Sequence, residues 1–86
     1  MEANFNKNDY IINKCAGDIA IVKGVSKKGY YQFKEYYNGM TDDLKDLNEY
    51  NYELQVNYQK MWELCNDKEK EIINKKIKER NEAQVN

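Results

Sequence analysis

Histidine and proline do not occur in the 86 residues, arginine occurs once, and there are two cysteines. Without imidazole, catalytic triads and general-base schemes built on histidine are excluded. A zinc site would have to be assembled from two thiols and carboxylates alone, so neither a metal nor a cofactor is expected. No P-loop, dinucleotide-type glycine pattern or internal repeat is present, which argues against an enzyme. Cys15 and Cys65 lie fifty residues apart. A secreted mini-protein would normally carry four or more cysteines, so reduced thiols in a cytoplasm are the expectation. Apolar runs extend over only a few residues, too short to span a bilayer, and Met1-Glu2-Ala3-Asn4 lacks the basic-then-apolar plan of a signal peptide. A cytoplasmic chain with no membrane association is therefore expected.

Aliphatic residues are also scarce. Leu, Ile, Val and Phe number 17 of 86, close to the fraction at which disorder becomes the default. Two features oppose disorder: the net charge is only -1, and eight Tyr, two Phe and one Trp supply large areas to bury. A thin, tyrosine-rich core in one small domain over residues 1–86 follows. Lys, Asn, Tyr and Ile are abundant, and all have AT-rich codons, which fits a low-GC genome such as that of a Gram-positive anaerobe or its phage. Charge is unevenly spread. Residues 1–40 carry +2, residues 41–67 carry -5 and residues 68–86 carry +2, an acidic waist between two weakly basic ends.

Residues 1–8 read as a loose lead-in anchored by Phe5, and residues 9–38 as a three-stranded meander. The strands are Asp9 to Asn13, Ile19 to Val25 and Tyr30 to Tyr37, rich in aromatic and β-branched residues. Gly17 is placed for a turn with positive φ, Gly24 for a bulge, and Ser26-Lys27-Lys28-Gly29 for a hairpin turn. From Thr41 to Asn48 the spacing of Leu44 and Leu47 predicts a short helix or 3₁₀ segment tucking both leucines under the sheet. Residues 49–65 fit two periods. Tyr52, Leu54, Val56, Tyr58, Trp62 and Leu64 alternate as in a strand, whereas Leu47, Tyr50, Leu54, Tyr58, Met61, Trp62 and Cys65 fit a helical stripe. Asn66 and Glu69 have capping-box spacing, and Ile72, Ile73 and Ile77 form a stripe, which predicts a helix from about 67 to 81 within a segment 66–82, fraying over 83–86.

Several clusters are candidates for partner binding. In the pairs Tyr30-Tyr31 and Tyr36-Tyr37, alternation would turn one member of each outward, where it could anchor a protein or stack on bases. On that reading, Tyr31→Ala or Tyr36→Ala weakens binding and spares the fold. Lys27 and Lys28, with Lys23 and Lys34, could form a basic patch near the hairpin tip. Asp42, Asp43, Asp46 and Glu49, with Glu53, could imitate a run of phosphates. Trp62 is expected in the core.

The runs Phe5-x-x-x-Asp9-Tyr10-Ile11-Ile12, Gly17-Asp18-Ile19 and Gly29-Tyr30-Tyr31-Gln32-Phe33 resemble the opening of small SH3-like barrels, with Asn8 where such domains usually carry glycine. Trp62-x-Leu64-Cys65-Asn66-Asp67-Lys68-Glu69 is similar to the way many small phage and mobile-element proteins leave such a barrel for a capped helix. The expected fold is thus α+β, an antiparallel SH3-like meander or barrel of three to five strands with a C-terminal helix; the alternative is a three-stranded sheet with two helices. The resemblance implies an adaptor that binds proteins, including polymerases, or nucleic acid. The missing catalytic apparatus, the outward aromatic pairs and the acidic waist point to a non-catalytic protein-binding module, an inhibitor or adaptor directed at a host nuclease, defence complex or polymerase. A nucleic-acid-binding barrel using the tyrosines and hairpin lysines, and a self-assembling homodimer, are the alternatives.

Overall fold

The computed structural model describes residues 2–84. Strand β1 (Tyr10–Asn13) turns back antiparallel onto β2 (Asp18–Val25), which pairs with β3 (Tyr30–Asn38). Two residues of β4 (Asp43–Leu44) and three of β5 (Glu53–Gln55) pair with opposite ends of β3. A 3₁₀ helix (Val56–Met61) carries the chain across to β6 (Trp62–Leu64), which closes onto β1, and helix α1 (Asp67–Ala83) follows. The order is β4-β3-β2-β1-β6, with β5 also on β3. This is an α+β domain whose last strand returns to the first, consistent with an SH3-like meander, although the sheet is not closed. It has six strands, one beyond the expected range, because the chain after β3 makes two very short pairings.

The turns form for local reasons. The Asn13 side chain accepts from the backbone of Cys15 and Ala16, and Gly17 takes φ 77°. Gly39 packs so closely on this turn that a Cβ there would lie 2.5 Å from the Gly17 carbonyl oxygen. Asn8, in the glycine place, adopts φ 76°, a region asparagine tolerates better than most residues.

Two compensating irregularities set which side chains face which way. Ile21 opposes Glu35, Val22 opposes Phe33 and Gly24 opposes Gln32, so Lys34 is extra on β3 and Lys23 is extra on β2. Each insertion reverses the alternation beyond it. Tyr31, Phe33 and Tyr36 consequently share one face, where they pack with Ile11, Val22 and Trp62. Glu35 and Tyr37 face the other side, where Ile12, Ile19, Ile21, Tyr37 and Cys65 pack under Ile73 of α1. The sheet is thus covered on both faces.

Helix α1 begins where expected. The Asn66 side chain accepts from Glu69 N–H, the Glu69 carboxylate accepts from Asn66 N–H, and Asp67 and Glu69 sit at the positive end of the helix dipole. It continues to Ala83; of the tail expected to fray, residues 85 and 86 lie outside the described residues, as does Met1. Glu71 and Lys75, at i and i+4 on this helix, form no ion pair among the described residues. Lys75 instead contributes its charge to the field around Asp42. Tyr10 donates to Asn74 Oδ1 at 2.7 Å and Lys76 pairs with Asp42 at 3.3 Å, fastening the helix to the sheet.

Three expectations are corrected. The segment Thr41 to Asn48 is not helical. Leu44 lies opposite Tyr37 and Asp43 opposite Asn38, and Lys45 N–H donates to Tyr36 C=O. The two leucines pack on opposite faces of the sheet, Leu44 with the helix-side cluster and Leu47 with the other. Residues 49–65 follow neither period throughout, because the chain must pass from the edge of β3 to the edge of β1. The 3₁₀ crossing buries Val56 and Gln59 and turns Tyr58 outward. The lead-in is not loose: Asn4 N–H donates to the Tyr31 hydroxyl and to Gln59 Oε1, both at 2.9 Å, Phe5 is buried, and Asn8 N–H donates to Val22 C=O at 2.8 Å.

Candidate functional site

The tyrosines expected to face a partner are mostly structural. Tyr31 is 0% exposed, Tyr36 8% and Tyr37 7%, and Tyr30 is half-buried. The reason is that both faces of the sheet are covered; the Lys34 insertion puts Tyr36 on the face of Tyr31 and Tyr37 in the cluster under α1. Each buried phenol has a partner. Tyr31 donates to Gln59 Oε1, Tyr36 to Asp18 Oδ2 at 2.5 Å, and Tyr37 to Asp42 Oδ1 at 2.7 Å. Burial, reinforced by the Asp18 carboxylate, drives the Tyr36 hydroxyl far above the ordinary phenol range. The hydrogen bond to Asp42, with burial second, pushes Tyr37 up to about 12.

The acidic waist is also tied down locally. Asp42 takes φ 55° and accepts from Tyr37 while pairing with Lys76, which holds its carboxyl below the usual aspartate value. Asp43 accepts from Thr41 Oγ1 and pairs with Lys45 at 3.3 Å. Asp46 accepts from Asn48 N–H, and Glu53 from Asn51 Nδ2 at 2.6 Å. Glu49 is exposed in the same loop. These acids lie in successive turns and a short strand rather than on one helical face. Lys27 and Lys28 are exposed at the hairpin tip.

A different feature brings functional groups together. β3 is paired by β5 through Gln32 and by β4 from Tyr37 onward, so along this edge Phe33, Lys34 and Glu35 have no ladder partner among the described residues. The chain between β4 and β5 lines a groove of about 1010 Å³ beside this gap. Its floor includes Phe33. Tyr52, half-buried on the opposite wall, stacks on Tyr36 with ring centroids 4.5 Å apart. Lys7, Lys23 and Lys34 line the side nearer β2, while Lys45, Asp46 and Glu53 line the other. At one end Arg80 of α1 makes a bidentate pair with Glu35. Of these, only Lys23 and Lys34 belonged to the basic patch expected from the sequence. The groove itself had no sequence signal, since it exists only where two short strands fail to meet.

A second surface also departs from expectation. Tyr58, Met61 and Leu64 are 60%, 56% and 60% exposed. Three residues per 3₁₀ turn stack Tyr58 above Met61 on the outside of the crossing. Both periods considered for residues 49–65 would have placed Tyr58 inward, and nothing in the local pattern marks the reversal.

Trp62 is buried as expected. Cys65 is buried, and burial pushes its thiol up to about 12, so it stays protonated near neutrality; Cys15 is exposed. Among the described residues, no helix is long and apolar enough to cross a membrane. Comparison with protein families, with characterised proteins and with solved structures finds no match.

Proposed function

We propose that this domain is a non-catalytic protein-binding module whose partner docks in the groove at the open edge of β3. The observation that carries this reading is the stretch Phe33–Glu35, which is flanked by β2 on one edge but has no ladder partner among the described residues on the other, between β4 and β5. A protein chain is the ligand that offers backbone donors and acceptors at the spacing of a strand edge. Tyr52, already stacked on Tyr36, is a rigid apolar anchor of the kind that concentrates binding energy at interfaces. Given the resemblance to phage and mobile-element domains, the partner would be a host protein such as a nuclease, a defence complex or a polymerase.

The test is capture of the partner from nuclease-treated lysate of a low-GC bacterium, comparing the native chain with Asn48→Trp. Asn48 is exposed and lines the groove, so the indole occupies the space without disturbing a core. A stoichiometric protein retained by the native chain and lost by the variant supports the reading. Equal retention by both moves the site elsewhere, with the Tyr58–Met61–Leu64 surface next to be substituted. Recovery that depends on intact nucleic acid overturns the reading in favour of the nucleic-acid alternative.

A further inference from the structure

We infer that the groove takes an acidic segment of a partner protein, which enters at the gap Phe33–Glu35 between β4 and β5 and sets its carboxylates against Lys7, Lys23 and Lys34. This rests on the protein-binding reading above and adds the chemistry of the bound segment. Five cationic and three acidic side chains line the groove, the reverse of the balance of the chain as a whole. The individual charges are not equally available. Arg80 and Glu35 satisfy one another through two hydrogen bonds of 2.7 Å. Lys45 pairs with Asp43, whereas Asp46 and Glu53 accept hydrogen bonds only from neutral groups on their own segment and keep their negative charge.

Lys7, Lys23 and Lys34 remain, exposed and in no ion pair among the described residues. Their position has a structural cause. Lys23 and Lys34 are the two extra residues of the β2–β3 ladder. Lys34 donates to Asn8 Oδ1, which places it beside the arm that carries Lys7. The same insertions that set the tyrosines therefore gather three lysines along the groove, beside backbone that lacks a ladder partner on its β4–β5 edge.

Charge complementarity selects an acidic occupant, and the geometry selects a short one. The wall opposite carries Asp46 and Glu53, and exposed Glu49 lies in the same loop. A continuous phosphate backbone leaving the groove would pass these carboxylates and be repelled within a Debye length of about 8 Å. A protein segment with a few alternating acids would place them on the lysine wall only, and its neutral side chains elsewhere.

The experiment uses the full chain and three labelled peptides of about eight residues, an ordinary strand length, in which glutamate, glutamine or lysine alternates with threonine and valine. A single-stranded oligonucleotide of matched charge is the fourth probe. Fluorescence anisotropy gives affinity, and amide NMR shifts locate the contact. The glutamate peptide is expected to bind most tightly and to shift the amides of Phe33, Lys34 and Glu35. Combined Lys7→Gln, Lys23→Gln and Lys34→Gln is expected to weaken it about tenfold, since an exposed ion pair contributes roughly 0.2–1 kcal/mol and 1.4 kcal/mol is tenfold. Lys27→Gln with Lys28→Gln, at the hairpin tip, should leave binding unchanged. Equal affinity for the glutamine peptide at the same amides would overturn the acidic specificity and leave the groove as a protein site. Binding of no peptide would overturn both. Tighter binding of the oligonucleotide would replace the acidic segment with nucleic acid.

Discussion

Arg80, in the last turns of α1, donates two parallel hydrogen bonds of 2.7 Å to the carboxylate of Glu35 in the middle of β3. The pair joins elements forty-five residues apart in sequence and closes one end of the groove. Glu35 is the more enclosed partner, its side chain 19% exposed against 39% for Arg80. The planar fork matters as well as the charge. Arg80→Lys keeps the cation but loses the bidentate geometry, and is expected to cost about 1 kcal/mol. In a domain of this size that lowers the thermal midpoint by roughly 4–8 °C. An unchanged melting curve would show that the helix is held by Ile73 and its apolar neighbours alone.

Tyr31 and Tyr36 should behave as core residues. Tyr31→Ala removes a fully buried ring and the hydroxyl that holds Asn4 and Gln59, at a cost of about 3–5 kcal/mol, as for other large aromatic deletions. That is a large part of the roughly 5–15 kcal/mol available to a native domain. Tyr36→Phe is milder, about 1–2 kcal/mol, because it strands one oxygen of Asp18 while Gly39 N–H still satisfies the other. Denaturant titrations read both. A Tyr31→Ala protein with native stability would return that side chain to the surface.

Stability should be level around neutrality and fall at both extremes of pH. The Tyr37 hydroxyl and Lys76 hold the Asp42 carboxyl below its ordinary 3.8 in the folded chain. Its contribution is present above 3.8 and is lost as pH falls through the lower folded value. Tyr37 shifts the other way, from 10.0 up to about 12. Its contribution is present below 10.0 and is lost as pH rises through the folded value. No histidine titrates between these limits. Thermal melts from acid to alkaline pH should therefore show a plateau with two shoulders, and Asp42→Asn should reduce both, leaving on the alkaline side the loss due to Tyr36 and Cys65. A shoulder near pH 6.5, the ordinary range of histidine, would contradict this account.

The two thiols should differ sharply in reactivity. Cys15 lies exposed in the β1–β2 turn, whereas Cys65 is buried and kept protonated by that burial. A thiol-specific reagent at neutral pH should label one cysteine at once and the second only on unfolding. Immediate labelling of both would mean that α1 lifts readily from the sheet, since Cys65 packs in the cluster that Ile73 covers.

Parts of the chain whose structure is set by near neighbours were legible from the residues. The Asn66–Glu69 capping box, the Gly17 turn, the bulge beside Gly24 and the three-stranded meander each depend on interactions spanning a few positions. Tyr37 shows where that stops. Alternation from Tyr30 assigns it a face, but the face changes when one residue, Lys34, is inserted in the ladder. Nothing in Gln32-Phe33-Lys34-Glu35 announces the insertion, because it compensates for another at Lys23 on the neighbouring strand. The crossing at residues 56–61 has the same origin. A 3₁₀ helix forms there because β5 and β6 pair with strands on different sides of the sheet.

By itself, then, the sequence determined the class of the molecule: a small α+β domain without histidine chemistry, with a thin aromatic core and a well-capped final helix. Those properties follow from composition and from contacts between residues close along the chain. Tertiary structure alone decided that Tyr31, Tyr36 and Tyr37 are buried, that Tyr58, Met61 and Leu64 are exposed, and that three lysines share the wall of one groove. Each depends on strand register and on the gap between β4 and β5, which are properties of pairs of distant segments and not of either segment alone.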